Sequence, residues 1–272
     1  MWHRKPVVAG AFYPAEPSHL RTMVGKYLDM ADRRPLSGEA VGLVSPHAGY
    51  IYSGPIAAFS FRQMDPETEV LVVLAPSHRA RFRGASVFPE GIFETPLGEV
   101  EVDSKIGKQL LEKPLFSFLK EAHQFEHSLE VQVPFAQVVL GPFTIVPIIV
   151  GVTDMAACAE IASGLADVLK KETRKYSIVL STDLSHYYSY GDAVSMDGRL
   201  IKALETFDPA VLEKTISAGS AEACGEGPLL AGMSLCRELG AKKMEILKYA
   251  NSGDTAGDKS QVVGYLAAAM VK

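Results

Sequence analysis

Short runs of apolar residues recur along the chain and are separated by longer amphipathic stretches. In the first four of these runs apolar residues stand at successive positions, as is typical of strands that are buried on both faces of a sheet. The last two runs lie close together near the C-terminal end. The six predicted strands are Ala40–Ser45, Val70–Ala75, Phe143–Val150, Ser177–Ser181, Met244–Tyr249 and Val262–Met270.

The stretches between these runs place apolar residues three and four positions apart, which predicts helices. Ser53 is a suitable N-cap for the second predicted helix, and Gly240 is a suitable residue to end the last one. A hairpin is predicted over Gly91–Asp103, with Pro96, Leu97 and Gly98 at its turn. The predicted helices are Pro17–Met30, Pro55–Arg62, Met155–Lys171 and Gly227–Leu239.

This alternation predicts an α/β fold with a central, mostly buried sheet flanked by helices. Glycine and proline are spread over the whole length, with no linker and no internal repeat, so we expect residues 1–272 to form one domain.

The amino-acid composition of the chain limits the classes of molecule that it is expected to bind. The chain has 272 residues, 47% of them hydrophobic, and a formal net charge of −5. No basic excess is available for phosphates, so neither nucleic acid nor an anionic membrane is an expected partner. Three cysteines without disulfide-like spacing favour a reducing compartment. The longest apolar stretch, Phe143–Val152, is about ten residues, short of the roughly 20 that span a bilayer. A cytoplasmic location is therefore expected.

Three of the seven histidines follow predicted strands. His47 comes after the first strand run, His78 after the second and His186 after Ser177–Ser181. Ligands of open α/β sheets bind at the C-terminal ends of strands, so these histidines converge if their strands are neighbours. Neutral imidazole is the commonest protein ligand of first-row transition metals, which makes a metal site the hypothesis. Each histidine taken alone also fits a turn or a helix cap.

A metal held by two histidines needs a third, anionic ligand. Cys224 can serve as a thiolate, and the flanking Glu222 and Glu226 are alternative oxygen ligands. Cys158 and Cys236 lie on apolar faces of predicted helices and are expected in the core.

Proton transfer is the second chemistry that the sequence indicates. His186 can move a proton near neutral pH, and Asp183 can orient it; the alternative is that Asp183 only caps the loop after its strand. Metal-free hydrolysis by Ser77 or Ser185 is disfavoured because neither serine lies in a Gly-x-Ser-x-Gly turn.

A dense polar segment runs from Glu126 to Glu130 and includes His127. The two glutamates are four residues apart and are predicted to share a helix face, from which they can hold metal-bound histidines by hydrogen bonds. The alternative is a solvated first helical turn. His3, His19 and His123 have no supporting context and are expected at the surface.

Seven short motifs, in this order, resemble those of the MEMO family from about residue 6 to the C-terminus. They are Ala9-Gly-Ala-Phe-Tyr-Pro14, Pro46-His-Ala-Gly-Tyr50 with Ser53-Gly54, Pro76-Ser-His78, Glu126-His-Ser-Leu-Glu130 with Pro134-Phe135, Ser181-Thr-Asp183 with Ser185-His186, Cys224-Gly225 and Val262-Val-Gly-Tyr265.

The resemblance implies a fold similar to that of class III non-haem iron dioxygenases. It also implies a site in which His47, His78 and Cys224 hold iron or, alternatively, copper, with His186 and Asp183 in the acid–base position. Phe12, Tyr13 and Tyr50 are expected near the cleft mouth. The third ligand of the dioxygenases is a carboxylate, whereas Cys224 would supply a thiolate, and this difference argues against ring cleavage.

The substrate is left open between a small molecule and a peptide, because animal relatives bind phosphotyrosine-containing peptides. Prokaryotic relatives suggest an AMMECR1-domain protein and a radical-SAM protein as partners.

Overall fold

A computed structural model describes residues 2–152 and 154–272, and within them twelve strands and eleven helices form an α/β fold with a large mixed sheet. The strands are β1 (Trp2–Arg4), β2 (Ala40–Ser45), β3 (Val70–Pro76), β4 (Ala85–Val87), β5 (Gly91–Thr95), β6 (Gly98–Val102), β7 (Phe116–Ser117), β8 (Thr144–Val150), β9 (Tyr176–Ser181), β10 (His186–Tyr188), β11 (Lys243–Asn251) and β12 (Val262–Val271). The helices are α1 (Pro17–Met30), α2 (Tyr50–Phe61), α3 (Ser104–Leu111), α4 (Lys120–Gln124), α5 (His127–Glu130), α6 (Val133–Val139), α7 (Met155–Leu169), α8 (Tyr190–Glu205), α9 (Pro209–Ser217), α10 (Glu226–Glu238) and α11 (Ser252–Ala256).

The main path of the sheet runs β1-β5-β6-β8-β3-β9-β2-β12-β10. Its centre is parallel, because β8, β3, β9 and β2 pair in the same direction. Strand β12 pairs antiparallel with β2 and with β11, which makes the sheet mixed. The carboxyl ends of β3, β9 and β2 therefore lie side by side at one edge of the sheet.

Both faces of the central sheet are covered, as the apolar runs predict. In β3, Val70, Val72 and Leu74 pack into one hydrophobic cluster, whereas Leu71 and Val73 pack into a second cluster on the opposite face. Strand residues alternate between faces, so a strand with both faces buried must be apolar throughout. The predicted α/β architecture with a buried central sheet is thereby confirmed.

One predicted helix begins in the wrong place. Helix α2 begins at Tyr50, so Pro55 lies inside it rather than in its first turn. Ser53 is also inside the helix, where its hydroxyl donates to the carbonyl oxygen of Ala48 at 2.8 Å. Pro55 is the sixth residue of α2, so its missing N–H leaves the carbonyl oxygen of Ile51, four residues earlier, without its usual helical partner. The early start of α2 brings Tyr50 directly behind the His47 loop.

The remaining boundaries agree with the pattern to within a few residues. The hairpin of β5 and β6 forms as predicted, and Gly240 follows α10 in a left-handed conformation with φ 99°. Cys158 and Cys236 are buried in the core. No helix in the described part of the chain has the length and apolar character needed to cross a membrane.

Candidate functional site

A cleft of about 680 Å³ opens at the edge where the carboxyl ends of β3, β9 and β2 meet. The loops that follow these strands, together with α5, α11 and the N-terminal segment, form its walls. The predicted site residues that line it are Phe12, His47, His78, His127, Asp183 and His186. The expected convergence of the strand-end histidines on one crevice is thus what the structure shows.

Three of these histidines form a close cluster. Side-chain nitrogens of His47, His78 and His127 lie within 4.8 Å of one another. The ring of His127 stacks on that of His78 with centroids 4.8 Å apart, and the ring of His47 meets both edge-on. His127, which the sequence indicates only as a supporting or substrate-binding residue, therefore has the position of a candidate ligand. His186 lines the same cleft outside this cluster.

His47 is held from three sides. Its backbone N–H donates to Oδ1 of Asp183 at 2.8 Å, and its ring Nδ1 lies 2.9 Å from Oγ of Ser181. The other ring nitrogen, Nε2, lies 3.1 Å from Sγ of Cys224. Burial lowers the pKa of His47 well below its ordinary value, and the neighbouring histidines lower it further. The ring is therefore neutral at physiological pH, the form that binds metals.

His78 is held by Glu126. One carboxylate oxygen of Glu126 accepts the backbone N–H of His78 at 2.6 Å, and the other lies 2.9 Å from its Nδ1. Burial alone would raise the pKa of Glu126, but the hydrogen bonds from His78 and Ser128 outweigh burial and lower that pKa to about 2. Because Glu126 is then a carboxylate and only accepts, Nδ1 of His78 carries a proton and Nε2 is the ring nitrogen that Glu126 does not bind.

Cys224 approaches His47 from the other side of the sheet edge, just before α10. Its backbone N–H donates to the carbonyl oxygen of Asp183 at 3.2 Å, and its Sγ accepts the N–H of Asp183 at 3.2 Å. The next residue, Gly225, packs so closely on Thr182 that a Cβ would lie 2.5 Å from the Thr182 Cβ. Glycine is required there for Cys224 to reach the site. Burial, followed by the charge of Asp183, raises the pKa of the thiol, so a bound cation is needed to stabilise its thiolate.

Asp183 and His186 stand at opposite ends of one short loop. Burial raises the pKa of Asp183 to about 6, although a hydrogen bond from His47 and the charges of His186 and His78 oppose the rise. Nδ1 of His186 lies 3.3 Å from a carboxylate oxygen of Glu222. Glu222 thus contacts the candidate acid–base histidine, and Glu226 forms the first turn of α10. Asp183 is able to change protonation state near neutral pH, as a proton-transfer residue must.

The prediction that Glu126 and Glu130 share a helix face is wrong. Glu126 precedes α5 as its N-cap, with extended dihedral angles of φ −84° and ψ 124°, so the helical period does not include it. Glu130 instead binds Arg4 and the hydroxyl of Tyr13, both of which are buried. It also accepts the backbone N–H groups of residues 7 and 8. Glu130 therefore anchors the N-terminal segment.

The three aromatic residues expected near the cleft mouth separate into two groups. Phe12 lines the cleft, with its ring 4.9 Å from that of His127. Tyr13 and Tyr50 are buried in the hydrophobic cluster behind it, with their rings 5.4 Å apart. The Tyr50 hydroxyl donates to the carbonyl oxygen of Val131 at 2.6 Å. These two tyrosines support the wall of the cleft from behind rather than lining it.

His123 is another correction, since it is buried rather than at the surface. Its Nε2 lies 3.0 Å from Oγ of Ser86, and its ring packs against Phe88 and Phe118. Burial, together with the charge of Arg4, lowers the pKa of His123 to about 3. Ser86 of strand β4 and the buried Arg4 determine this environment. Neither contact can be inferred from the residues that adjoin His123 in the sequence. His3 and His19 are exposed as expected.

Several residues that shape the site are not apparent from the sequence. Ser181 and Gln132 contact each other and the His47 loop, and both are buried. Tyr52 and Tyr187 line the cleft opening, and Tyr187 is 68% exposed with a left-handed φ of 64°. The one available signal was position: Ser181 ends an apolar strand run, and Tyr187 adjoins His186. The serine-hydrolase hypothesis gains no support, because the Ser77 hydroxyl donates to Ala80 and Ser185 is fully buried.

Comparison with known proteins agrees with the order of motifs. The profile of the family described as Memo-like protein matches residues 4–269. The chain belongs to this MEMO family.

Its relatives are similar over nearly their whole length. A MEMO1 family protein of Methanothermobacter thermautotrophicus is 36% identical over 96% of this chain and 98% of its own. A MEMO1 family protein of Aeropyrum pernix is 39% identical over 96% and 97% of the two chains. A third, from Ignicoccus hospitalis, is 37% identical over 97% of each.

Proposed function

We propose that this MEMO family member binds a redox-active transition metal in the cleft through His47, His78 and Cys224, iron being the expected metal and copper the alternative. The observation that carries the proposal is the support of the two histidines. Nδ1 of His47 lies against Ser181 and Nδ1 of His78 lies against Glu126, so both Nε2 atoms are left for the cleft. Hydrogen bonding of one ring nitrogen to orient the other is the usual arrangement of metal-binding histidines.

The donor set fits such a metal. Two imidazoles and one thiolate suit iron(II), copper(I) or zinc better than magnesium or calcium, which prefer oxygen. When bound, iron or copper supplies one-electron redox chemistry and open coordination positions for a small substrate. The half-buried Cys224 thiol lies 3.1 Å from Nε2 of His47, although it is not among the side chains whose ligand atoms all lie within 4.8 Å of one another.

His127 is an alternative third ligand. Its ring nitrogens belong to the same cluster as those of His47 and His78. Burial lowers its pKa to about 4, so it is also neutral at pH 7. If Cys224 is the ligand, His127 instead forms part of the cleft wall, between Phe12 and His78.

Proton transfer in the cleft is assigned to His186 and Asp183. His186 is 28% exposed at the cleft surface, and Glu222 lies against its Nδ1, so its Nε2 is available to a substrate. Asp183, with its pKa raised to about 6, is in reach of His47 and of the Cys224 backbone. We propose His186 as the group that gives or takes the substrate proton and Asp183 as the residue that holds the His47 loop and balances charge.

The proposed substrate is a small molecule. The cleft volume of about 680 Å³ falls within the roughly 300–1,000 Å³ of small-molecule sites. Aromatic side chains of Phe12, Tyr52 and Tyr265 line it beside the histidines, which suits a partly apolar substrate.

The proposal is tested by the metal content of protein purified without oxygen. We expect close to one iron or copper per chain in the wild type and loss of that metal in His47→Ala. Cys224→Ser and His127→Ala identify the third ligand, because the metal is lost from the variant of the true ligand and retained in the other. His19→Ala, an exposed histidine outside the cleft, is the control. A wild-type protein without stoichiometric metal contradicts the proposal.

A second candidate function is a binding module that uses the same cleft for a peptide or protein. The observation that favours it is Tyr187, which is exposed at the cleft although its left-handed backbone conformation costs energy. An AMMECR1-domain protein and a radical-SAM protein are the proposed partners, in the cytoplasm. Pull-down of these partners with wild type, Tyr187→Ala and metal-stripped protein separates the functions. Equal partner binding with and without metal favours the module, and metal-dependent turnover of a substrate excludes it as the sole function.

A further inference from the structure

Three buried residues that lie outside the cleft form a hydrogen-bond network behind Nδ1 of His47, and Ser181 is the one that contacts this nitrogen. Oγ of Ser181 lies 2.9 Å from that nitrogen, 2.8 Å from Nε2 of Gln132 and 2.7 Å from the backbone carbonyl oxygen of Ser128. Ser181, Gln132 and Ser128 are each at most 1% exposed. Water therefore does not compete for these hydrogen bonds, and the donors and acceptors can be counted.

The orientation of Gln132 follows from its second contact. Its Nε2 also donates to the carbonyl oxygen of Pro46 at 3.0 Å, and a carbonyl oxygen only accepts. The atom between Pro46 and Ser181 must therefore be the amide nitrogen. One of its two hydrogens points to Pro46 and the other to Ser181, so Gln132 cannot accept the hydroxyl proton of Ser181.

The Ser181 proton then has one possible direction. A hydroxyl has one hydrogen and two lone pairs. The carbonyl oxygen of Ser128 accepts only, and at 2.7 Å it would face an oxygen lone pair unless Ser181 donates to it. Ser181 therefore donates its one hydrogen to the carbonyl oxygen of Ser128 and has only lone pairs left for Gln132 and His47.

From this count we infer that Ser181 fixes His47 in the tautomer that carries its proton on Nδ1, and that Gln132 and Ser128 act as positioning residues for a metal ligand that they do not touch. Nε2 of His47 then presents a lone pair toward Cys224 and the cleft. The inference concerns how the proposed metal site is held, but the tautomer itself is a property of the metal-free protein.

The same segment supports the second histidine. The backbone N–H of Ser128 donates to Glu126 at 3.0 Å, and Glu126 holds Nδ1 of His78. The Ser128 hydroxyl donates to the carbonyl oxygen of Pro76 at 3.0 Å, which ties α5 to the end of β3. Ser128 thus binds the supports of both histidines. Its carbonyl oxygen accepts the hydroxyl hydrogen of Ser181, and its N–H donates to Glu126. One residue of α5 sets the relative orientation of two rings that come from different strands.

The sheet provides a matched control. Ser45 lies directly opposite Ser181 in the register of β2 and β9, is equally buried, and has no hydrogen-bond partner for its hydroxyl among the described residues. Ser45→Ala removes the same atom from the same layer of the core without touching His47 Nδ1. A difference between Ser181→Ala and Ser45→Ala therefore reports the hydrogen bond rather than the cavity.

The test is long-range proton–nitrogen NMR of ¹⁵N-histidine-labelled, metal-free protein at pH 8, with His47 assigned by its loss in His47→Gln. We expect a protonated Nδ1 in the wild type, in Ser45→Ala and in Ser181→Thr, which keeps the hydroxyl. Ser181→Ala should shift the proton toward Nε2, where Cys224 Sγ at 3.1 Å can accept it. A wild-type protein with the proton on Nε2 overturns the inference, as does a Ser181→Ala variant that folds and keeps the wild-type tautomer.

Titration with Co²⁺ separates this inference from the proposed function. We expect Co²⁺ to bind Ser181→Ala about 10–100-fold more weakly than Ser45→Ala, the usual effect of losing a group that orients a ligand. If the tautomer shifts but the two variants bind Co²⁺ equally, the tautomer assignment stands and His47 is not a metal ligand.

Discussion

Glu126 and Glu130 are the same residue type, lie four residues apart and are both buried, yet they bind different regions of the molecule. Glu126 lies behind the cleft wall and holds His78. Glu130 faces the N-terminal segment and holds Arg4 and Tyr13. The two differ because Glu126 is an extended N-cap and Glu130 is helical. Because the backbone changes from extended to helical within this motif, Glu126 supports the site and Glu130 stabilises the fold.

The largest expected effect belongs to the structural side of this comparison. Glu130→Ala leaves Arg4 as an unpaired charge that is 1% exposed, and losing one partner of a buried pair costs about 3–5 kcal/mol. The free energy of unfolding from urea denaturation measures it. Glu112→Ala, an exposed glutamate, should change stability by less than about 0.5 kcal/mol. A loss below about 1 kcal/mol for Glu130→Ala would show that the pair does not stabilise the fold.

Acid should act on the cleft side through Glu126. The folded pKa of about 2 lies below the ordinary value of 4.5, so the unfolded state takes up the proton first. The contribution to stability is complete above about pH 5 and is lost as pH falls toward 2. It amounts to something on the order of 3 kcal/mol.

Urea unfolding of metal-free wild type and Glu126→Gln at several pH values checks this. The difference in unfolding free energy between the two should shrink steadily from pH 5 to pH 2, while contributions from groups that do not interact with Glu126 cancel. A difference that is independent of pH contradicts a charged Glu126 at neutral pH.

Metal affinity should separate the two glutamates at neutral pH. Glu126→Gln weakens the hold on Nδ1 of His78 and is expected to lower Co²⁺ affinity about 10–100-fold. Glu130→Gln touches no histidine of the cluster and should leave that affinity within about twofold. Competition with a chelator measures both variants. Equal losses in both would mean that the cleft and the N-terminal anchor are one cooperative unit.

The smallest effect concerns the two buried tyrosine hydroxyls. Tyr13 donates to the carboxylate of Glu130, and Tyr50 donates to a neutral backbone carbonyl. Hydrogen bonds to charged groups contribute about 1.5–3 kcal/mol and neutral ones about 0.5–1.5 kcal/mol. Tyr13→Phe should therefore cost about 1 kcal/mol more in unfolding free energy than Tyr50→Phe. Equal costs would indicate that the charge of Glu130 is satisfied without Tyr13.

Much of the fold and part of the site were predictable from local pattern. The apolar runs located β2, β3, β8, β9 and β12 because a strand buried on both faces has no polar positions to spare. Strand β11 was also located, although its Lys243 and Lys248 are exposed. Histidines directly after two of these strands marked His47 and His78, since strands that pair in parallel place their carboxyl ends at one edge. These conclusions depend only on neighbours along the chain.

What joins the site together depends on contacts between distant residues. Ser181 and Gln132 were not identifiable as supports of the histidines from their own surroundings in the sequence, and His123 was assigned to the surface. Glu126 was predicted as such a support, but on a helix face that it does not occupy. Their roles follow from α5 packing against the ends of β3 and β9, and the reach of Cys224 follows from the close approach of Gly225 to Thr182. The sequence by itself determined which segments are strands and which residue types carry the chemistry, because periodicity and burial act locally. Only the tertiary structure decided which buried donors and acceptors meet, because these hydrogen bonds join residues 48 or more positions apart, which only the paired strands and α5 bring together.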